Sequence, residues 1–138
     1  MSKILIGIDP GTKTGVAFYQ DGKLTELHTC TIVQAFELLY YKIKFVDKNI
    51  HLYIENPNTW KRFKGNKDSH ARAQGAGSVK RDYAIWVEFC EYHKIPYTPV
   101  SVRGNLKKLT KEQFAKVTGY KGPSSVHSRD AGMMVWGR

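Results

Sequence analysis

The sequence predicts an α/β fold in which helices flank one five-stranded mixed sheet. Two observations support this prediction. Three short apolar or alternating segments separated by turn residues open the chain, and two further apolar segments each follow a helical pattern. Strands that follow helices usually pair in parallel, so the sheet is expected to contain both orientations. At 138 residues the chain is expected to form a single domain, over residues 1–138.

The first three predicted strands form an antiparallel meander. The apolar run over 3–9 predicts strand one, and residues 14–20 predict strand two. Asp21-Gly22 is a dipeptide that two-residue hairpin turns favour. The alternating pattern over 23–29 then predicts strand three, paired with strand two.

A helix and a fourth strand come next. Thr31 is suited to cap a helix over about 32–45, where apolar residues recur at helical spacing. Residues 50–54 predict strand four, which ends at Glu55. Because this strand follows a helix, we expect it to lie parallel to strand one.

A basic loop separates these elements from a long helix. Residues 58–70 are polar and basic, and they predict a mobile loop. The long helix is predicted from Ala71 to about Lys94, and Pro96 follows its end. A short fifth strand is predicted from Tyr97 to Val102.

Two more helices complete the predicted order. Thr110 begins a short helix that ends at Gly119, and Ser124 or Ser125 caps a last helix that runs to the C-terminus. The predicted order is three antiparallel strands, then helix, strand, helix, strand and helices. This is the order of the ribonuclease-H-like architecture. The pattern therefore favours that fold.

Composition argues against several classes of protein. Hydrophobic residues form 41% of the chain, and no apolar run approaches the roughly 20 residues of a membrane span. The first strand directly follows Met1-Ser2-Lys3, so we expect no secretory signal and a cytoplasmic location. Cys30 and Cys90 have no metal-type spacing, and they are expected to be reduced thiols.

The chain is strongly basic, with 22 Lys and Arg against 12 Asp and Glu and a net charge of +10. Such a charge suits a polyanionic partner, because neutralised phosphates contribute much of the affinity for nucleic acids. Plain solubility is the alternative interpretation. The candidate nucleic-acid contacts, which the resemblance described below assigns to DNA, are Lys13, Trp60, Lys61, Arg62, Phe63, Lys64, Arg72, Lys80, Arg103, Lys107 and Lys108.

Four side chains are predicted to meet at one end of the sheet. Asp9 and Glu55 end two neighbouring parallel strands, and His127 and Asp130 share one face of the last helix. A carboxylate cluster is unstable without compensating charge. Oxygen ligands favour Mg²⁺ or Mn²⁺ over Zn²⁺, and two such ions can promote phosphodiester hydrolysis.

Each of the four residues also has a purely structural interpretation. Asp9 precedes Pro-Gly and could form a turn, and Glu55 could be an exposed strand end. His127 could lie on the surface or cap the helix, and Asp130 could pair with Arg129 or a lysine. Their predicted convergence on one place favours the metal site.

Three segments resemble one known family. The segment Ile8–Ala17 (IDPGTKTGVA) closely resembles the opening of RuvC-type Holliday junction resolvases. Ile54-Glu55-Asn56 matches their second acidic strand, and His127–Gly132 (HSRDAG) looks like their C-terminal H-x-x-D motif. The chain is compact for a bacterial resolvase and is similar to shorter phage-type or divergent members.

The resemblance implies a homodimeric, Mg²⁺-dependent nuclease that makes paired nicks in strands of like polarity at a four-way DNA junction and leaves 5′-phosphates. Mn²⁺ is expected to substitute for Mg²⁺. On this interpretation Asp9, Glu55 and Asp130 are metal ligands, and His127 is a ligand or a proton-transfer group. The dimer interface is expected on the long helix, although core packing would also explain its aromatic stripe of Tyr83, Trp86 and Phe89.

The chain departs from the family at the residue that acts at the junction centre. Bacterial members have an aromatic residue three positions after the second acid, where this chain has Asn58. Trp60 and Phe63 are the nearest aromatics, and an exposed aromatic in a basic loop is suited to unstacking bases. Packing of Trp60 on the core is the alternative.

Three other functions stay open from the sequence. A nuclease of the same fold could act on RNA–DNA hybrid, structured RNA or flaps; ribonuclease H sites normally have more carboxylates and lack H-x-x-D, so His127 favours the resolvase. A phosphate-binding kinase or chaperone lobe shares the D-x-G-T opening, but 138 residues are not expected to supply its second lobe. The third alternative is a non-catalytic DNA-binding module.

Overall fold

A computed structural model of the protein describes residues 3–46, 49–57, 69–102 and 106–138, with the backbone alone at 46 and 69–76. The described strands are β1 (Ile4–Asp9), β2 (Thr14–Gln20), β3 (Lys23–Cys30), β4 (Ile50–Glu55) and β5 (Tyr97–Val100). The described helices are α1 (Ile32–Tyr41), which continues as a π-helical turn over Lys42–Val46, α2 (Ser69–Tyr92), α3 (Lys111–Thr118) and α4 (Val126–Val135).

The strands form one mixed sheet in the order β3-β2-β1-β4-β5. β1 pairs antiparallel with β2 and parallel with β4, and β5 is parallel to β4. At the β2–β3 turn, Asp21 and Gly22 have φ values of 51° and 85°, as a type I′ hairpin requires. The predicted five-stranded α/β fold is therefore confirmed, including the parallel pairing of β1 with β4.

Side-chain alternation along the strands creates two cores, one on each face of the sheet. Ile4, Ile6 and Ile8 of β1 pack in the core that includes residues of α1 and α2. Leu5 belongs to the opposite core, with residues of α3 and α4. By this period of two, Asp9 lies on the α4 face, which is where the chain places its last helix.

Helix and strand ends differ from the predicted ones by a few residues. α2 ends at Tyr92 rather than near Lys94, because Lys94 adopts a positive φ of 57° that does not continue a helix. α4 ends at Val135 rather than at the C-terminus, since Trp136 has an extended ψ of 124°. β5 also ends two residues early, at Val100.

The aromatic stripe of α2 contributes mainly to the core. Trp86 is fully buried, and Tyr83 and Phe89 pack partly buried against the same cluster. Core packing therefore explains the inner part of this stripe. Among the described helices, none is both long and apolar enough to cross a lipid bilayer.

Candidate active site

Asp9 and Glu55 lie side by side at one end of the sheet. The parallel register pairs Ile8 of β1 with Ile54 of β4, so the next residue of each strand carries its carboxyl group to the same edge. The two carboxyl groups are within hydrogen-bonding reach of each other. The Glu55 side chain is only 8% exposed and that of Asp9 14%.

α4 brings the other two predicted residues to this edge. Ser125 caps the helix in a reciprocal capping box with Ser128, which fixes where the first turn begins. His127 lies in that turn, with Nδ1 3.3 Å from Asp9 Oδ2. Asp130 lies one turn along, and its Oδ1 accepts a 2.8 Å hydrogen bond from the Lys108 backbone N–H.

These four residues line one open cleft of about 930 Å³. Its walls also carry Lys13, Lys107 and Lys108. The cleft thus combines buried acids at its floor with cations on its walls, an arrangement suited to a negatively charged substrate that approaches a bound cation. The roles of the four residues stay predictions.

Burial of the acids, reinforced by repulsion between them, dominates the electrostatics of the cleft. Burial, together with the nearby charges of Glu55 and Asp130, raises the pKa of Asp9 to about 8. Burial also raises the pKa of Asp130, while the hydrogen bond from Lys108 opposes this rise. The cationic groups of the protein therefore neutralise only part of the negative charge at this site. A bound cation would neutralise the remainder.

Carboxylate oxygens beside an imidazole are donors that suit a hard divalent cation. Within the described residues, however, no group of three or more His, Cys, Asp or Glu side chains is already arranged to hold a metal ion. Two of the acids have other partners: the Lys107 ammonium bonds Glu55, and the Lys108 N–H bonds Asp130. The donor types fit a metal, provided that these contacts are exchanged.

The ion pair between Lys107 and Glu55 was not anticipated. Lys107 was predicted to contact DNA, but its Nζ lies 2.7 Å from Glu55 Oε1. The two residues are far apart in sequence, and no local pattern connects them. Such a contact can be found only once the fold is known.

Two glycines that sequence reasoning overlooked position α4. A Cβ at Gly7 of β1 would lie 2.0 Å from the Ala131 carbonyl oxygen, and one at Gly15 of β2 would lie 2.1 Å from that of His127. Only glycine allows the helix backbone this close to the sheet. An isolated glycine within an apolar strand is the signal that could have revealed this contact.

The remaining candidate DNA contacts divide into two groups. Lys13 and Lys108 line the cleft, and Lys80 is exposed on α2, next to the cleft residue Val79. The others lie outside the described residues or have side chains that do: Trp60, Lys61, Arg62, Phe63, Lys64, Arg72 and Arg103. Of the predicted loop 58–70, residues 58–68 also lie outside the described residues, whereas Ser69 and His70 belong to α2 and not to a loop.

Comparison with solved structures finds the same fold. No protein-family model matches the chain, and no curated protein matches it significantly. A structure of RuvC from Thermus thermophilus in complex with a Holliday junction substrate matches with a TM-score of 0.57 and 14% identity, covering 97% of this chain and 90% of that one. A second T. thermophilus RuvC structure matches with a TM-score of 0.55 and 14% identity, over 96% and 91% of the two chains. The chain therefore has a RuvC-like, ribonuclease-H-like fold.

Proposed function

We propose that this protein is a metal-dependent endonuclease that resolves four-way DNA junctions by paired, symmetric nicks. The observation that carries the proposal is the convergence of Asp9, Glu55, His127 and Asp130 in one cleft with lysine-bearing walls. The RuvC-like fold supports it, since one matching RuvC structure is a complex with a Holliday junction substrate.

Asp9, Glu55 and Asp130 are the residues that would hold Mg²⁺, with Mn²⁺ as a substitute. Such ions supply an activated water and stabilise the leaving oxygen of a phosphodiester. The carboxylates fix the position of this chemistry at the end of β1 and β4. Burial of the Glu55 and Asp9 side chains limits their contact with water, and this strengthens the electrostatic interactions of these two carboxyl groups.

His127 is suited to move the proton of the attacking water. Its Nδ1 faces Asp9, and a hydrogen bond there fixes the ring and favours the tautomer with a free electron pair on Nε2. The side chain is 44% exposed, so water in the cleft can reach it. We assign His127 this role rather than that of a metal ligand.

Lysines of the cleft are suited to bind the phosphates on either side of the cut. Lys13 lies in the turn after β1, four residues beyond Asp9, and Lys108 lies beside Asp130; both line the cleft. Each contact of this kind neutralises one phosphate and releases a counterion. These contacts position the backbone without reading its sequence.

A homodimer would present two such clefts to a two-fold symmetric junction. An apolar groove on the outer side of α1 and α2 supports this part of the proposal. It is lined by Phe36, Ile85, Glu88, Phe89, Tyr92 and His93. Tyr92 lines this groove and is 80% exposed in the single chain, so a second copy bound there would bury a large aromatic side chain.

Cleavage of defined DNA substrates tests the proposal. A mobile four-way junction, a three-way junction, a flap and a linear duplex would be incubated with Mg²⁺, with Mn²⁺ and with chelator. We expect metal-dependent paired nicks confined to the four-way junction. Cutting of every branched form would show a broader debranching nuclease, and no metal-dependent cutting of any of them would refute the proposal.

A further inference from the structure

We infer that Lys107 is a built-in counter-ion, which occupies the cation position of the acid cluster until a divalent metal displaces it. The inference rests on the proposed metal site. Its basis is the 2.7 Å contact between Lys107 Nζ and Glu55 Oε1. An ammonium and a metal ion would both be held by the charge of this carboxylate, so they compete for it.

Burial makes the contact more than a surface ion pair. The Glu55 side chain is 8% exposed and that of Lys107 33%, so the carboxylate has little water to solvate it. A buried carboxylate requires a cation or strong donors. The Lys107 charge also acts on both Asp9 and Asp130. One side chain thus partly compensates three acids.

The chain holds Lys107 in place through its neighbours. Leu109 is buried and Leu106 partly buried in the core on the α4 face, so the segment 106–109 is anchored at both ends. The Leu109 carbonyl also accepts a 2.7 Å hydrogen bond from Arg129 Nε. Packed residues on either side therefore hold Lys107 next to Glu55.

The same segment also contacts the acid on α4. The Lys108 N–H bonds Asp130, and Lys108 adopts a φ of 53°, in the left-handed region that non-glycine residues seldom occupy. Residues 106–109 therefore bridge Glu55 of β4 and Asp130 of α4. Backbone strain of this kind is typical of functional segments that change state.

Competition of this kind lowers the apparent affinity for metal. Only the fraction of molecules whose Glu55 is free of Lys107 is competent to bind, so the measured Kd exceeds the intrinsic one by the reciprocal of that fraction. In the metal-free protein, the Lys107 charge also reduces the repulsion between the acids. Lys107 thus sets the metal concentration at which the site fills.

Calorimetric titration with Mn²⁺ tests the inference without a cleavage assay. Lys107→Gln should bind Mn²⁺ about tenfold more tightly than the wild type, because no ion pair must be broken first. Lys108→Gln is the matched control: it removes the same charge from the same cleft but keeps the backbone bond to Asp130. Its affinity should change by less than about twofold. Unchanged or weaker binding by Lys107→Gln, or equal tightening in both variants, would overturn the inference.

Two further measurements separate the inference from the proposed function. Asp9→Asn should weaken Mn²⁺ binding; if it does not, or if the wild type binds no Mn²⁺, the metal site and the inference fail together. Thermal unfolding in chelator should show a lower Tm for Lys107→Gln and a larger rise on adding Mn²⁺ than for the wild type. Lys107→Met serves the same test if the glutamine variant does not fold, and an unaltered Tm response in it would contradict the role of Lys107.

Discussion

At the scale of single residues, Asp9 interacts with all three of the other candidate residues of the cleft. It lies at the end of a central strand, next to Glu55, with the imidazole of His127 3.3 Å away. Burial and two neighbouring acids raise its pKa to about 8. Replacement of this one side chain therefore separates the chemistry of the site from the binding of DNA.

Asp9→Asn should abolish metal-dependent cleavage and leave junction binding equal or stronger. The amide keeps the shape of the side chain but removes a carboxyl group that holds metal and that repels phosphate whenever it is ionised. We expect cleavage to fall by more than about a hundredfold, since even outer-shell partners of metal ligands contribute that much. Single-turnover cleavage and gel-shift measurements on a four-way junction check this.

Asp21→Asn is the matched control for that variant. It makes the same chemical change at the β2–β3 hairpin, where the positive φ of residue 21 suits asparagine equally well. Cleavage by this control should match the wild type. If Asp9→Asn also cleaves normally, Asp9 holds no metal.

The raised pKa of Asp9 has a consequence for stability. The folded protein holds this proton up to about pH 8, whereas the unfolded chain releases it near the ordinary value of 3.8. Between these values the folded state binds more protons, so Asp9 makes the free energy of unfolding fall as pH rises from about 4 to 8. Asn at position 9 removes this contribution.

Urea unfolding in chelator at pH 5 and pH 8 checks the prediction. The stability of Asp9→Asn relative to the wild type should increase by at least about 1 kcal/mol between the two pH values, which is less than the effect of one pKa unit. Saturating Mg²⁺ should remove most of this difference at pH 8, because the cation then compensates the carboxylate. A difference that is independent of pH would show that Asp9 ionises normally.

At the scale of elements, the docking of α4 decides whether the site assembles. The helix backbone touches β1 at Gly7 and β2 at Gly15 without any intervening side chain. The Tyr19 hydroxyl adds a buried 2.9 Å hydrogen bond to the Gly132 carbonyl. Because His127 and Asp130 both belong to α4, a shift of this helix moves both of them away from Asp9.

Gly15→Ala should destabilise the protein by roughly 2 kcal/mol or more, because the new Cβ meets the His127 carbonyl at 2.1 Å. Activity should fall further than the unfolded fraction explains, since the helix must move to relieve the clash.

Gly77→Ala in α2 is the control, because nothing lies within 4 Å of its Cβ, and it should be neutral or stabilising. Denaturant unfolding and cleavage rates measure both effects, and a Gly15→Ala protein as stable as the wild type would contradict this account of the helix contact.

The elements that sequence predicted well are those with local chemical signals. Asp21-Gly22 defines its turn, and Thr31, Thr110 and Ser125 each cap a helix through a reciprocal capping box. Helix ends such as those at Tyr92 and Val135 lack comparable signals, and they were misplaced by two or three residues. The sequence positions of the four candidate residues were enough to predict that they meet at one edge of the sheet. The ion pair of Glu55 with Lys107 could not be predicted, because Lys107 belongs to a loop far along the chain.

At the scale of the whole molecule, the two faces of the sheet serve different purposes. One face packs against α4, which completes the acid cleft, and the other packs against α1 and α2. The outer side of this second layer carries the groove lined by Phe36, Phe89 and Tyr92. A second copy bound there would lie on the far side of the sheet from α4 and leave that helix uncovered.

Tyr92→Glu should therefore shift the protein from dimer to monomer without unfolding it. Tyr92 is 80% exposed, so a glutamate costs little in the single chain, but it would place an unpaired charge in a buried interface.

Tyr41→Glu is the matched control, since Tyr41 is also exposed, at 58%, but lines a different groove beside β3. Sedimentation equilibrium should show dimer association weakened by at least about tenfold for Tyr92→Glu alone. On a four-way junction the same variant should change paired nicks into single, uncoordinated ones, because each monomer carries one cleft. A monomeric wild type, or a Tyr92→Glu protein that stays dimeric, would place the interface elsewhere and leave the chemistry of the cleft unaffected.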